Sequence, residues 1–163
     1  MEKTSLQKLK KQISHDWTIL CTGSSVDVDS KNISIYNFIE IINIALKPTS
    51  EQEKEKESKG WYSVPLNIHI VTRIRKNSID SDLALNINYH VVGPDNKRVG
   101  KNMSVPIKFG KGLDTLKIRN NIGSFPVIES GTYNVIFSIG NVGEDNVIKI
   151  GESRLKINLD IKK

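Results

Sequence analysis

The sequence predicts an all-β protein built from facing antiparallel sheets, and three observations support this. Its 163 residues include 23 Ile and 12 Val but only 2 Ala and 3 Gln, and branched side chains favour pleated strands over helices. Apolar and polar residues alternate strictly over 155–162, and over 132–139 Tyr133, Val135, Phe137 and Ile139 alternate with Thr132, Asn134 and Ser138, which is typical of strands with one buried face. Short apolar runs separated by turn-forming residues predict about seven to nine strands.

Taken in order, the chain opens with a short helix. Leu6, Leu9 and Ile13 recur at helical spacing behind a Thr/Ser start, so residues 1–15 are predicted to form a helical extension of a β-domain that covers 16–163. Segment 47–60 contains a Glu/Lys run with no apolar residue to bury, so a solvated loop or a frayed turn of helix is expected there.

The remaining apolar runs are the predicted strands. Polar turns at 29–32, 93–96 and 140–146 separate some of them, and the gaps are too short for the crossover helices of a parallel sheet. The runs lie at 17–28, 33–46, 64–75, 83–92, 102–109, 113–118, 132–139, 147–150 and 155–161.

Several site classes are disfavoured by the sequence. The single cysteine, Cys21, cannot form an internal disulfide, and its apolar strand predicts a buried thiol with a raised pKa. Gly23-Ser24-Ser25 lacks the frame of an exposed serine nucleophile, and the glycines around Lys111 are too few for a phosphate loop. We therefore expect no cofactor.

No export signal follows the N-terminal lysines, and polar residues interrupt the densest apolar stretch, 33–46. That stretch is shorter than the roughly 20 apolar residues that a membrane-spanning helix needs. The expectations are a cytoplasmic location and no membrane span.

Two histidines are candidate metal ligands. His69 and His90 each fall on the polar side of a predicted strand, and a hairpin across 77–82 would place them close together. No Asp or Glu occupies the outward positions of those strands as a third ligand. A structural or solvated role is therefore preferred to a metal site.

Positive charge is concentrated in one stretch of a chain whose net charge is +6. Residues 95–119 contain seven basic and two acidic side chains, which makes an anion or nucleic-acid site conceivable. Binders of single strands also present aromatic rings, yet the only aromatic residue here, Phe109, is predicted to point inward. A solvated face is preferred, and the candidate binding residues are Lys97, Arg98, Lys101, Lys108 and Lys111.

Glu129 to Tyr133, followed by Val135, resembles the tyrosine corner of immunoglobulin-like sandwiches. That resemblance implies an immunoglobulin-like layout in which the tyrosine hydroxyl bonds back to the preceding backbone. Immunoglobulin domains proper carry a cysteine where Val135 stands.

A wider pattern, formed by 18–21, 26–29, 33–39, 93–95 and 131–133, looks like a family of uncharacterised bacterial and archaeal β-sandwich proteins. The likeness spans roughly 17–159 and implies no catalytic residues.

The expected function is a non-enzymatic binding or assembly module. Its expected partner is another protein, or a second copy of the chain, joined through an edge strand. The alternatives are an anion or nucleic-acid binder that uses 97–119, and an enzyme with a metal ion between the two histidines.

Overall fold

A computed structural model describes residues 2–78, 81–142 and 146–162, with side chains from residue 6 onward. Two of the predicted turns, 77–82 and 140–146, therefore lie partly outside the described residues. The helices are α1 (Glu2–Gln12) and α2 (Ser50–Lys59). The strands are β1 (Ile13–Val26), β2 (Ile33–Phe38), β3 (Ile41–Leu46), β4 (Tyr62–Val64), β5 (Ile68–Lys76), β6 (Leu83–Val92), β7 (Arg98–Phe109), β8 (Thr115–Ile122), β9 (Phe125–Val127), β10 (Gly131–Gly140) and β11 (Val147–Ile161).

The strands form two large sheets and one small ribbon. Sheet A has the order β2-β1-β5-β8, sheet B has the order β3-β11-β10-β6-β7, and β4 pairs with β9 as a separate ribbon. Apolar side chains from both sheets and from the ribbon pack into one core. The prediction of an all-β, sandwich-like fold is confirmed.

Two details of that prediction are wrong. The described residues form eleven strands rather than seven to nine. The run 33–46 is broken into two strands, and β4 and β9 are too short to show alternation. The predicted separate runs 147–150 and 155–161 are instead one continuous strand, β11. The sheets are also not wholly antiparallel, since β3 pairs with β11 in parallel. Asn37 takes a positive φ of 53°, and over the next residues the chain passes from sheet A to sheet B.

The N-terminal helix is present but ends earlier than the sequence pattern indicates. Leu9 is buried in the core from α1, whereas Ile13 begins β1 instead of completing the helix. Asn77 fixes the helix end, because its backbone N–H donates to Gln12 O at 2.8 Å and its Nδ2 donates to Lys11 O at 2.7 Å. These bonds satisfy carbonyls that a helix terminus leaves unpaired.

Two alternatives were expected for segment 47–60, a solvated loop and a frayed turn of helix. The structure has a helix there, the ten-residue α2, which corrects the expectation of a loop and is longer than a single turn. Thr49 and Gln52 form a capping box, with the Gln52 N–H donating to Thr49 Oγ1 at 3.3 Å and the Thr49 N–H donating to Gln52 Oε1 at 3.0 Å. Gly60 ends the helix with φ of 84°. The helix buries no residue, so capping and local charge pairs replace the apolar face that the sequence lacks.

Tyr133 makes the backbone contacts expected of a tyrosine corner. Its hydroxyl donates to Glu129 O at 2.7 Å and accepts from the N–H groups of Ile128 and Glu129 at 2.9 and 3.2 Å. The predicted bond to the preceding backbone is confirmed.

The sandwich has two lateral sides of different construction. On one, which we call the β2–β3 side, the edge strands of the two sheets are β2 and β3. On the other, the β7–β8 side, the edges are β7 and β8, and the β4–β9 ribbon packs there. Gly100 of β7, with φ of 77°, lies so close to Pro126 of β9 that an added Cβ would be 2.8 Å from the proline ring.

Candidate functional site

The free edges on the β2–β3 side are uncharged. β2 reads Ile-Ser-Ile-Tyr-Asn-Phe and β3 reads Ile-Ile-Asn-Ile-Ala-Leu, with no lysine, proline or acidic residue in either strand. Edge strands present unpaired backbone N–H and C=O groups, and proteins usually blunt them with charge, proline or bulges. The β2–β3 side therefore presents edges that lack these side-chain protections.

Apolar side chains project into solvent along the same segment. The exposed fractions are 52% for Tyr36, 68% for Phe38 and 57% for Ile41. Of the nine large hydrophobic residues exposed within the described ranges, five fall between Val26 and Ile41. A cavity of about 420 Å³ lies beside them and is lined in part by Phe38, Ile39, Ile41, Ile42, Leu66 and Ile68. Clustered apolar exposure of this kind marks interaction surfaces.

Polar contacts hold the β1–β2 hairpin in place. β1 pairs with β5 as far as Cys21 and then pairs only with β2. Beyond that point, Ser24 Oγ lies 2.7 Å from His69 Nδ1, and Arg119 Nη1 donates to Ser24 O at 3.0 Å. Lys117 Nζ donates to Asn32 Oδ1 at 3.1 Å. The hairpin is thus tied to β5 and β8, while the outer edge of β2 has no strand neighbour within the described chain.

Cys21 is fully buried, and its Sγ lies 3.7 Å from His69 O. Burial raises the pKa of the thiol, which keeps it protonated and unreactive near neutral pH. The prediction of a buried thiol with a raised pKa is confirmed.

The hairpin that would place His69 beside His90 does not form. β5 belongs to sheet A and β6 to sheet B, so the two strands are not paired. His69 bonds to Ser24, whereas burial, and then the positive charges of Arg98 and Lys149, lower the pKa of His90. Residues 2–78, 81–142 and 146–162 contain no group of three or more His, Cys, Asp or Glu side chains placed to hold a metal ion.

The basic stretch is divided between the edge strands of two sheets. β7 carries Arg98, Lys101 and Lys108 on the edge of sheet B, whereas Lys117 and Arg119 lie on β8 in sheet A. The alternation along β7 is as predicted, and Phe109 is fully buried.

Aspartates also engage part of the charge in this stretch. Lys97 Nζ lies 3.7 Å from Asp95 Oδ2, and Lys108 Nζ lies 3.2 Å from Asp82 Oδ2. The backbone N–H of Lys111 donates to Asp82 Oδ1 at 2.8 Å. Of the five predicted binding residues, Lys101 alone lines a cavity described here.

That second cavity, of about 320 Å³, lies between β7 and the β4–β9 ribbon. Sequence reasoning missed Trp61, Ser63, Ser124 and Pro126, which line it, because the two strands of the ribbon have only three residues each. A weak clue was present, since Tyr62 and Val64 alternate with polar Ser63.

The chain matches no protein-family model and no curated protein. Among solved structures it is similar to a β-glucuronidase of Bacteroides uniformis, with a TM-score of 0.42 and 14% identity over 56% of this chain and 11% of that chain. It is also similar to the N-terminal domain of PorA, with a TM-score of 0.23 and 12% identity over 88% of this chain and 97% of that chain. This chain thus spans about a tenth of the length of the glucuronidase. Neither helix in the described part of the chain is long and apolar enough to cross a bilayer.

Proposed function

We propose that this chain is a non-enzymatic binding module that accepts an extended strand of another protein along the free edge of β2. One observation carries the proposal. The β2–β3 side combines uncharged edge strands with exposed Tyr36, Phe38 and Ile41. Strand addition draws affinity from backbone hydrogen bonds and specificity from pockets for alternate side chains. The cavity of about 420 Å³ beside Phe38 and Ile41 supplies such a pocket.

The partner is proposed to be a different protein, neutral or acidic, rather than a second copy. The chain carries a net charge of +6, and like charge opposes self-association at low ionic strength. Glu40 is the only charged residue between β2 and β3, so the edges themselves impose no strong requirement on the charge of the partner.

The finer features of the fold form part of the proposal. An immunoglobulin-like layout is supported by the Tyr133 contacts with the preceding backbone. A non-enzymatic role is supported by the engagement of Cys21 and His69 in buried or structural contacts. The second candidate, an anion or nucleic-acid site on 97–119, is less well supported, since its cations lie on two sheets and two of them pair with aspartates.

The test replaces exposed apolar residues on the proposed edge with lysine. A Phe38→Lys/Ile41→Lys double variant adds two charges to the β2–β3 side, and Leu113→Lys/Val142→Lys adds the same two charges elsewhere, at positions 49% and 57% exposed. Both variants should fold, because substitutions at exposed positions usually change stability little. We expect the first variant to lose crosslinked partners from native lysate and the control to retain them.

Hydrogen exchange locates the contact. Amides of β2 should become protected when the captured partner is bound, because strand addition pairs free backbone groups. Equal capture by both double variants, or protection confined to β7 or β8, would contradict the proposal. Concentration-dependent dimerisation that Phe38→Lys/Ile41→Lys abolishes would replace the heterologous partner with a second copy.

A further inference from the structure

The cavity on the β7–β8 side is built differently from the β2–β3 groove. Its floor is formed by the buried side chains Tyr89, Val91, Ile122 and Val135, and Trp61 forms part of its partly exposed wall. At about 320 Å³ it lies at the lower end of the range for ligand pockets, which are mainly apolar with a few placed polar groups.

An irregularity in sheet B positions this cavity. Tyr89 pairs with Met103 and Val91 pairs with Val99, so β7 has two more residues than β6 in this interval. Bulges of this kind disrupt the ladder and commonly lie beside functional sites. Here the bulge contains Gly100 and Lys101, both of which line the cavity. The left-handed φ of Gly100, 77°, allows β7 to turn against Pro126.

The polar side chains that line this cavity belong to two lysines, two serines and one histidine: Lys59, Lys101, Ser63, Ser124 and His90. Burial, and then the positive charges of Arg98 and Lys149, lower the pKa of His90 and favour its neutral form. No Asp or Glu is among the described lining residues. Lys59 pairs with Glu55 at 2.7 Å, but Lys101 forms no ion pair within the described part of the chain. The hydroxyls of Ser63 and Ser124 lie 2.6 Å apart and offer further hydrogen bonds. Lys101 is therefore the cation available to an incoming anion.

We propose that this cavity binds a small organic carboxylate, whose compact apolar body lies on the floor beside Trp61 and whose carboxylate pairs with Lys101. The inference is independent of the proposed function, because it concerns the opposite side of the sandwich. A cation without a carboxylate partner, set at the mouth of an apolar pocket, favours an anion attached to an apolar group over an inorganic anion or an amine.

Three probes of nearly equal shape test the charge preference: 4-phenylbutyrate, 4-phenylbutanamide and 4-phenylbutylamine. Trp17→Phe leaves Trp61 as the sole tryptophan, so its fluorescence reports occupancy of this cavity. We expect saturable change at millimolar 4-phenylbutyrate, about tenfold weaker binding of the amide, and no saturable change with the amine, in line with the strength of a charge-assisted hydrogen bond.

Variants on one strand provide the controls. Lys101→Gln should weaken binding of 4-phenylbutyrate about tenfold, and Lys101→Arg should retain it. Lys108→Gln removes the same charge from β7 outside the cavity and should leave binding unchanged. Equal binding of carboxylate and amine, equal effects of Lys101→Gln and Lys108→Gln, or no saturable response of Trp61 would each overturn the proposal. None of these results bears on strand addition at β2.

Discussion

The two lateral sides of this sandwich differ in whether their edge strands are protected against pairing with other chains. On the β7–β8 side, β7 carries Pro106, one arginine, two lysines and a bulge, and the β4–β9 ribbon packs beside it. On the β2–β3 side, neither edge strand carries a charge or a proline. Since unprotected edges favour aggregation, the contrast is in line with the proposal that a partner strand covers the β2–β3 side.

The same contrast extends to side-chain packing. Phe125 of the ribbon is fully buried in the core, whereas Phe38 of β2 is largely exposed. The aromatic ring of Phe125 on the β7–β8 side thus contributes to the core, whereas the ring of Phe38 on the β2–β3 side stays exposed after folding.

Truncation of one phenylalanine on each side gives the largest expected difference. Phe125→Ala removes a fully buried ring, and we expect a loss of about 3–5 kcal/mol in the free energy of unfolding. Phe38→Ala should change it by no more than about 0.5 kcal/mol, because that ring is mostly solvated. Urea denaturation of both variants measures the two changes in the free energy of unfolding. A large loss for Phe38→Ala would show that the β2–β3 side is part of the stabilising core.

A pair of glycines provides a second matched comparison. Gly100→Ala places a methyl group 2.8 Å from Pro126 at a φ of 77°, so we expect a loss of about 2 kcal/mol from backbone strain and crowding. Gly23→Ala, beside β2, meets Tyr36 at an ordinary 3.8 Å. That change should be neutral or stabilise the protein by up to about 1 kcal/mol. Similar losses for both variants in urea denaturation would contradict this account of the bulge.

Removal of the proline and one lysine from β7 should leave its edge as unprotected as those of β2 and β3. Pro106→Val/Lys108→Val restores a backbone N–H and deletes a charge on a free edge, so we expect self-association at concentrations where the unmodified chain is monomeric. Sedimentation velocity measures the shift. Lys54→Gln removes one charge from α2, away from any edge strand, and should not associate. If the β7 variant remains monomeric, these residues do not protect the edge.

Local sequence pattern was sufficient for most of the strands. The predicted run 83–92 coincides with β6, Leu83–Val92, because strict alternation depends only on neighbours along the chain. The helix in 47–60 was also visible in principle, since Thr49 and Gln52 have capping-box spacing. The choice between a loop and a helical turn was left open because the prediction relied on apolar periodicity, which a helix that buries no residue does not show.

Contacts between residues far apart in the sequence could not be predicted from the local alternation of apolar and polar residues. A hairpin across 77–82 would have placed His69 and His90 on one face, but the sheet that each strand joins depends on packing of the whole chain. Likewise, the sequence shows that 33–46 is apolar, but only strand pairing shows that it forms two free edges. The cavity beside Lys101 needs a bulge and a distant ribbon to meet, so it could not be read from residue order.

The smallest expected effect concerns the pKa values of two aspartates, one on each side of the sandwich. A hydrogen bond from Lys108, then one from the Lys111 backbone, lowers the pKa of Asp82, whereas hydrogen bonds from Ser30 lower the pKa of Asp27 in the β1–β2 hairpin. Because both folded-state pKa values lie below their ordinary range, each carboxylate stabilises the fold above that range. Each loses its contribution as the pH falls through its lowered value.

Salt should affect the pKa values of the two aspartates differently, since it screens the positive charge of Lys108 but not a hydrogen bond from a neutral group. In a carboxyl-carbon NMR titration, the pKa of Asp82 should rise toward its ordinary value at high ionic strength, and that of Asp27 should move less. Lys108→Gln should raise the pKa of Asp82 and leave that of Asp27 unchanged. An equal salt response at both positions would mean that ion pairing does not distinguish the β7–β8 side, leaving Pro106, the bulge and the ribbon as its protection.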